Sequence, residues 1–163
     1  MLYRNVIDVP WDRTRWPNFL PQEFACQKGH CNYCGGEFWY DENSFDRIQH
    51  LRTLLGVPIE VVRGHSCVHH NADVGGARKS AHLEMAFDIG LPASHTRADL
   101  IHHATAVGFQ HIGFMKYGMH LDMRNPQAAA KFWSYGPTSR ELWKNAWEEN
   151  RINPHDVADI GGS

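Results

Sequence analysis

The sequence predicts an α+β fold in a single domain. Three observations lead to it. A chain of 163 residues has the length of one ordinary domain, since hydrophobic cores stop growing beyond roughly 250 residues. Apolar residues recur at helical spacing in three capped segments, and short β-branched runs bounded by turn residues lie between them. No internal repeat, low-complexity run or Gly/Ser linker divides the chain, so 1–163 reads as one unit.

Residues 1–22 form an irregular, aromatic-rich arm. Over 43–55, Phe45, Ile48, Leu51, Leu54 and Leu55 fall on one helical stripe, with Asn43 or Ser44 as N-cap and Gly56 as stop. Pro58 opens a strand over 59–63, and the Gly-, Asn- and His-rich stretch from there to Ser80 reads as loop. Residues 86–89 make a short strand. Thr96 and Asp99 form a capping box for a helix through Leu100, Ile101, Ala104 and Val107, ended by Gly108. Runs 109–115 and 119–123 read as a strand pair joined through Tyr117 and Gly118. Thr138 and Glu141 form a second capping box for a helix over 138–151 that carries Leu142, Trp143, Ala146 and Trp147, and 153–163 reads as a frayed tail.

Composition narrows the function. With 42% hydrophobic and 21% charged residues the chain can bury a real core, which excludes a disordered tail or a collagen. A formal net charge of −2 without a basic block removes the footprint of a nucleic-acid binder, and with it a metal-dependent nuclease. The first twenty residues hold no apolar run long enough for a signal peptide or a membrane span, so the expectation is a chain made in the cytosol, without a span, and monomeric unless part of a virion. Twelve histidines, six tryptophans and four cysteines in so short a chain make metal chemistry the first hypothesis.

His82, Asp88 and His120 stand at predicted strand ends or in the loop beside them. A catalytic zinc takes three His or carboxylate ligands and keeps its fourth position for water, whose pKa falls to about 7. Asp122, two residues beyond His120 in a strand, points to the same face and could orient a ligand or accept the water's proton.

The surrounding words carry a resemblance. Residues 71–89 read NADVGGARKSAHLEMAFDI and 111–124 read HIGFMKYGMHLDMR. They are similar to the zinc peptidoglycan peptidases, a family that includes D-Ala-D-Ala carboxypeptidases, VanX- and VanY-type enzymes and many phage endolysins. The family word H-N-x-x-V-G-G-x-x-x-S-x-H-x-x-G-x-A-x-D, followed by an H-x-D or H-x-H strand, is matched at His70, Asn71, Val74, Gly75, Gly76, Ser80, His82, Asp88 and Ile89, then at Gly113, Tyr117, His120 and Asp122. The likeness spans roughly 20–125, giving a family-like core over 23–125. It implies a small antiparallel sheet with helices packed around it, as in hedgehog-like domains, and a zinc site at the sheet face. It also implies that His82, Asp88 and His120 hold Zn²⁺ and that metal-bound water attacks a peptide carbonyl of the stem peptide. Synthesis in the cytosol would be followed by action on the cell wall after release, or as a virion component.

Three departures separate this chain from the family pattern. The link from His82 to Asp88 is one residue shorter and lacks a glycine, with Glu84 and Met85 standing there. Ser66 occupies the place of an arginine that polarises the carbonyl in relatives, leaving Arg63 or His65 to substitute. Tyr117 replaces an acidic residue used as general base, which makes Asp122 the expected base and Glu84 the next. Arg63, Tyr117, His65 and His111 are the candidates for stabilising the oxyanion.

Cys26, Cys31 and Cys34 form a C-x4-C-x2-C run, and Cys67 follows a strand that the 43–55 helix delivers beside the N-terminal arm, so the four are expected to converge. A second, structural zinc, disulfides and buried thiols all remain open, with His30 as a replacement ligand. The tryptophans are left to the core, since Trp143 and Trp147 make an i,i+4 packing pair. The leading function is a zinc metallopeptidase cutting peptidoglycan, as endolysin or as cell-wall carboxypeptidase or endopeptidase. The second reading is a zinc-stabilised structural or binding module that has lost hydrolysis, for example a virion component.

Overall fold

The computed structural model describes residues 1–124 and 131–160. Residue 125 of the expected core and 161–163 of the expected tail lie outside the described residues.

The N-terminal arm is packed rather than loose. Strand β1 (Leu2–Tyr3) pairs antiparallel with β2 (Phe38–Trp39). Between them the chain folds an aromatic cluster onto the first helix, α1 (Glu42–Leu55). The rings of Trp11, Trp16, Phe24 and Phe38 stand 5.0, 5.2, 5.5 and 5.6 Å from that of Phe45, which is fully buried. Phe45, Ile48, Leu51 and Leu55 form the buried stripe of α1, whereas Leu54 turns to solvent. The cap is Asp41 rather than Asn43 or Ser44. Its carboxylate accepts from the Asn43 amide and the Ser44 hydroxyl, so the helix starts before the expected position. Gly56 ends it in the left-handed conformation, φ +67°.

Strand β3 (Val61–Arg63) leads into a short helix, α2 (Val68–Asp73), inside the stretch expected to be loop; six residues are too few for a periodic signal, and the Cys67 thiol caps it. Strand β4 (Ala86–Gly90), helix α3 (Arg97–Ala106) with the expected Thr96–Asp99 capping box, and strands β5 (His111–Phe114) and β6 (Gly118–Asp122) follow. Strand β7 (Phe132–Tyr135), helix α4 (Pro137–Glu149) and strand β8 (Val157–Ile160) complete the order.

The main sheet runs β3-β4-β6-β5-β7-β8. Its first four strands are antiparallel, as expected, but β7 joins β5 in parallel and β8 joins β7 in parallel, so the sheet is mixed. The tail is therefore ordered through Ile160. Arg140 of α4 holds it by donating to the carbonyls of Pro154 and Val157 and to the Asp159 carboxylate, contacts that no local pattern announces. The Thr138–Glu141 box is not the start of α4. Gly136, at φ +86°, turns the chain and Pro137 takes the first helical position, where no amide proton is needed. Trp143 and Trp147 are core, their rings 5.0 and 5.2 Å from Phe114. Among the described residues no helix is long and apolar enough to cross a membrane.

The aromatic cluster yields the first test. Phe45→Ala should cost about 3–5 kcal/mol of stability in a urea titration, the range for an aromatic ring removed from a core. A loss under about 1 kcal/mol would mean that the arm does not pack on α1.

Candidate metal centre

Asp88 on β4 and His120 on β6 are register partners in the antiparallel pair. His82 comes to them from the 3-10 turn Ala81–Leu83, which Ser80 caps by accepting from the His82 amide. Three donor atoms meet there. His120 Nδ1 lies 2.8 Å from Asp88 Oδ1 and 3.2 Å from His82 Nε2, and His82 Nε2 lies 3.2 Å from Asp88 Oδ1. The shortened link between His82 and Asp88 thus spans the distance without the glycine.

Each imidazole is held from behind. His82 Nδ1 donates to the Gly64 carbonyl at 2.6 Å, which leaves the Nε2 lone pair facing Asp88 and His120. His120 Nε2 lies 2.8 Å from Asp122 Oδ2. The Asp122 carboxylate is therefore against the edge of the ring that points away from the convergent atoms, and Arg124 Nε stands 3.2 Å from the same oxygen. That is the geometry of a ligand orienter. The expectation of Asp122 as base does not fit it, because the imidazole stands between the carboxylate and the place a water would occupy.

The charge balance follows from burial and these contacts. Burial opposes ionisation of Asp88, but hydrogen bonds from His120 and His82 outweigh it and hold the carboxyl well below the usual range. Burial pushes His82 down, more than Asp88 pulls it up. Burial also works against a charged His120, yet Asp122 and Asp88, one on each ring nitrogen, hold its pKa above the ordinary value. Two imidazole nitrogens and one carboxylate oxygen, open on one side, suit zinc in donor type and number.

These atoms form part of the wall of a cleft of about 720 Å³. Arg63, Lys79 and Arg124 give it a basic lining, and Trp133 and Tyr135 of β7 form an aromatic side. Arg63 Nε donates to Ser66 Oγ at 2.9 Å and its Nη2 to Asn71 Oδ1 at 3.0 Å. Asn71 in turn sits so tightly on the ligand loop that a Cβ at Gly76 would stand 2.1 Å from its Oδ1, which accounts for the Gly-Gly word. Burial pushes the Tyr135 phenol up to about 12, so it stays a hydrogen-bond donor. The Trp133 ring lies 5.2 Å from that of His120, and Gly113 makes room for it, since a Cβ there would stand 2.6 Å from the indole nitrogen.

The other sequence candidates fall elsewhere. Tyr117 is 74% exposed at the β5–β6 turn, outside the cleft, so the catalytic role expected of it is not supported by its position. Glu84 lines a separate depression with Asp41 and Met123. His65 is buried with Nδ1 on the Glu84 carbonyl, and His111 is buried on β5 opposite Asp122; neither lines the cleft. Sequence reasoning missed Lys79, Arg124, Trp133 and Tyr135. The alternation Phe-Trp-Ser-Tyr over 132–135 was the available signal, for it puts Trp133 and Tyr135 on one strand face. The four cysteines form a second cluster, their sulfurs all within 4.8 Å of one another, and His30 is not part of it.

Two imidazoles and a carboxylate converging at an open cleft are the donor set of hydrolytic zinc enzymes. The Peptidase M15 family model matches residues 17–123, and the chain belongs to that family, zinc metallopeptidases that include VanY-like D-Ala-D-Ala carboxypeptidases. No curated protein and no solved structure matches the chain. The matched segment ends before β7, so Trp133 and Tyr135 are additions to the cleft from outside it.

Asp122→Asn separates the two roles weighed for that residue. With the carboxylate behind His120, the variant should weaken zinc affinity about 10 to 100-fold and regain turnover at saturating zinc. Zinc titration beside peptide hydrolysis reads both; unchanged affinity with lost turnover would restore Asp122 as the base.

Proposed function

We propose that the protein is a zinc-dependent metallopeptidase that hydrolyses peptide bonds of bacterial peptidoglycan, with His82, Asp88 and His120 as the metal ligands. The observation that carries this reading is the meeting of their three donor atoms within 3.2 Å of one another at the cleft wall. Zinc bound there would supply a Lewis acid and lower the pKa of water to about 7.

The chain's own residues do the rest. Gly64 and Asp122 fix which nitrogen of His82 and His120 faces the centre. The Arg63 guanidinium, tied to Ser66 and Asn71, stands in for the arginine that Ser66 replaces, and points positive charge at the oxygen of a bound carbonyl. Tyr135, held protonated, is a second donor on the opposite strand. Lys79 and Arg124 favour a peptide that carries carboxylates. Trp133 gives the substrate an apolar wall beside His120.

A second reading, a zinc-stabilised module that binds the wall peptide without cutting it, is favoured by one observation. Among the described residues lining the cleft, the only carboxylate is Asp88, which leaves no second acidic group to act as base. Mass analysis of muropeptides after incubation with purified peptidoglycan decides between them. The peptidase reading expects new fragments that chelator abolishes, that added zinc restores, and that Arg63→Ala reduces by about 10² to 10³, the range for loss of an oxyanion donor. Retention on peptidoglycan without any new fragment would establish the binding module instead.

A further inference from the structure

We propose that Cys26, Cys31, Cys34 and Cys67 hold a second metal ion, zinc by the chemistry of the donors, and that this ion anchors the segment positioning His82. The four sulfurs lie within 4.8 Å of one another although Cys67 is far from the other three in sequence. Three are buried, the fourth is half-buried, and they pack against one another as a cluster separate from the hydrophobic core. Thiols recruited only for their apolar bulk would be expected within that core.

The backbone around the cluster is shaped for anionic sulfur. The Cys67 amide donates to Cys26 Sγ at 3.3 Å, the Glu37 amide to Cys34 Sγ at 3.3 Å, and the His70 amide to Cys67 Sγ at 3.4 Å. Three of the four sulfurs thus receive a main-chain N–H, and Cys31 Sγ stands 3.8 Å from Cys67 Sγ, an arrangement that gains little from a neutral thiol, which is a weak acceptor, and much from a thiolate. The turns beside the sulfurs are unusual. Gln27 and Lys28 adopt φ +47° and +54° without being glycine, a conformation that persists only where the surroundings enforce it. Gly36 crosses Gly29 so closely that a Cβ would stand 2.6 Å from its Cα.

Four thiolates so close together require a cation, and the thiol protons leave to solvent as it binds. Four sulfurs in mutual contact select zinc among the common divalent ions, with iron the alternative.

The cluster is tied to the other centre by the chain between them. Cys67 caps α2, which carries Asn71. Directly before it, the Ser66 amide donates to the His82 carbonyl at 2.7 Å, and the Gly64 carbonyl accepts from His82 Nδ1. Fixing Cys67 fixes the strip on which His82 leans. This inference does not depend on hydrolysis.

The test uses the full chain and its His82→Ala variant, whose cysteines are untouched. Elemental analysis should find two zinc ions per chain in the former and one in the latter. Cobalt loaded into His82→Ala should show sulfur-to-cobalt charge-transfer absorption in the near ultraviolet, which imidazole and carboxylate ligands do not produce. Adding Cys31→Ser and Cys34→Ser to His82→Ala should remove the remaining zinc; should that variant not fold, the cobalt spectrum alone decides. A His82→Ala protein without zinc and without that absorption, one whose mass is four hydrogens low from two disulfides, or one that carries iron in place of zinc would each overturn the proposal. Loss of peptidase activity alone would bear only on the hydrolytic reading.

Discussion

The pairing of β4 with β6 is the constraint on which the centre depends. Asp88 and His120 meet only because they are opposite one another in that register, and a slip of one residue would send either side chain to the other face of the sheet. The register is pinned from both sides. All five residues of β6 are buried, and β5 pairs along its other edge from His111 to Phe114. At the far end Gly118 permits the close approach, since a Cβ there would stand 2.2 Å from the Ile89 carbonyl oxygen. Donor atoms on the enclosed strands of a sheet are held in place before any ion arrives, which is the preorganisation a hydrolytic centre needs.

A second dependence runs through 63–71. This stretch supplies the Arg63 guanidinium, the Gly64 carbonyl behind His82, the Ser66 contacts, the Cys67 cap and the Asn71 amide that seats the Gly75–Gly76 turn. The Ser66 hydroxyl accepts from Arg63, and this contact steadies a positive charge at the cleft wall.

The aromatic side of the cleft comes from a different principle of construction. β7 adds to β5 in parallel and delivers Trp133 beside His120 and Tyr135 above Gly113. Gly113 is thus part of the centre although it bears no functional group. The α4 tryptophans, by contrast, serve the core behind the sheet.

By itself the sequence determined what local chemistry encodes. The stripe and stop of α1, the Thr96–Asp99 box of α3, the β5–β6 pair and the three donors His82, Asp88 and His120 are each written in spacings of a few residues or in short words. The convergence of Cys26, Cys31, Cys34 and Cys67 was legible too, from the C-x4-C-x2-C run and the strand that precedes Cys67. Only the tertiary structure decided the rest. That Asp122 stands behind His120, that Tyr117 faces solvent and that the tail becomes β8 all depend on which strands pair and which edge of a ring turns inward. Those outcomes are set by contacts between residues far apart in the chain. Helical period and caps report hydrogen bonds made within a few residues, and they carry no information about the direction from which a distant carboxylate approaches an imidazole.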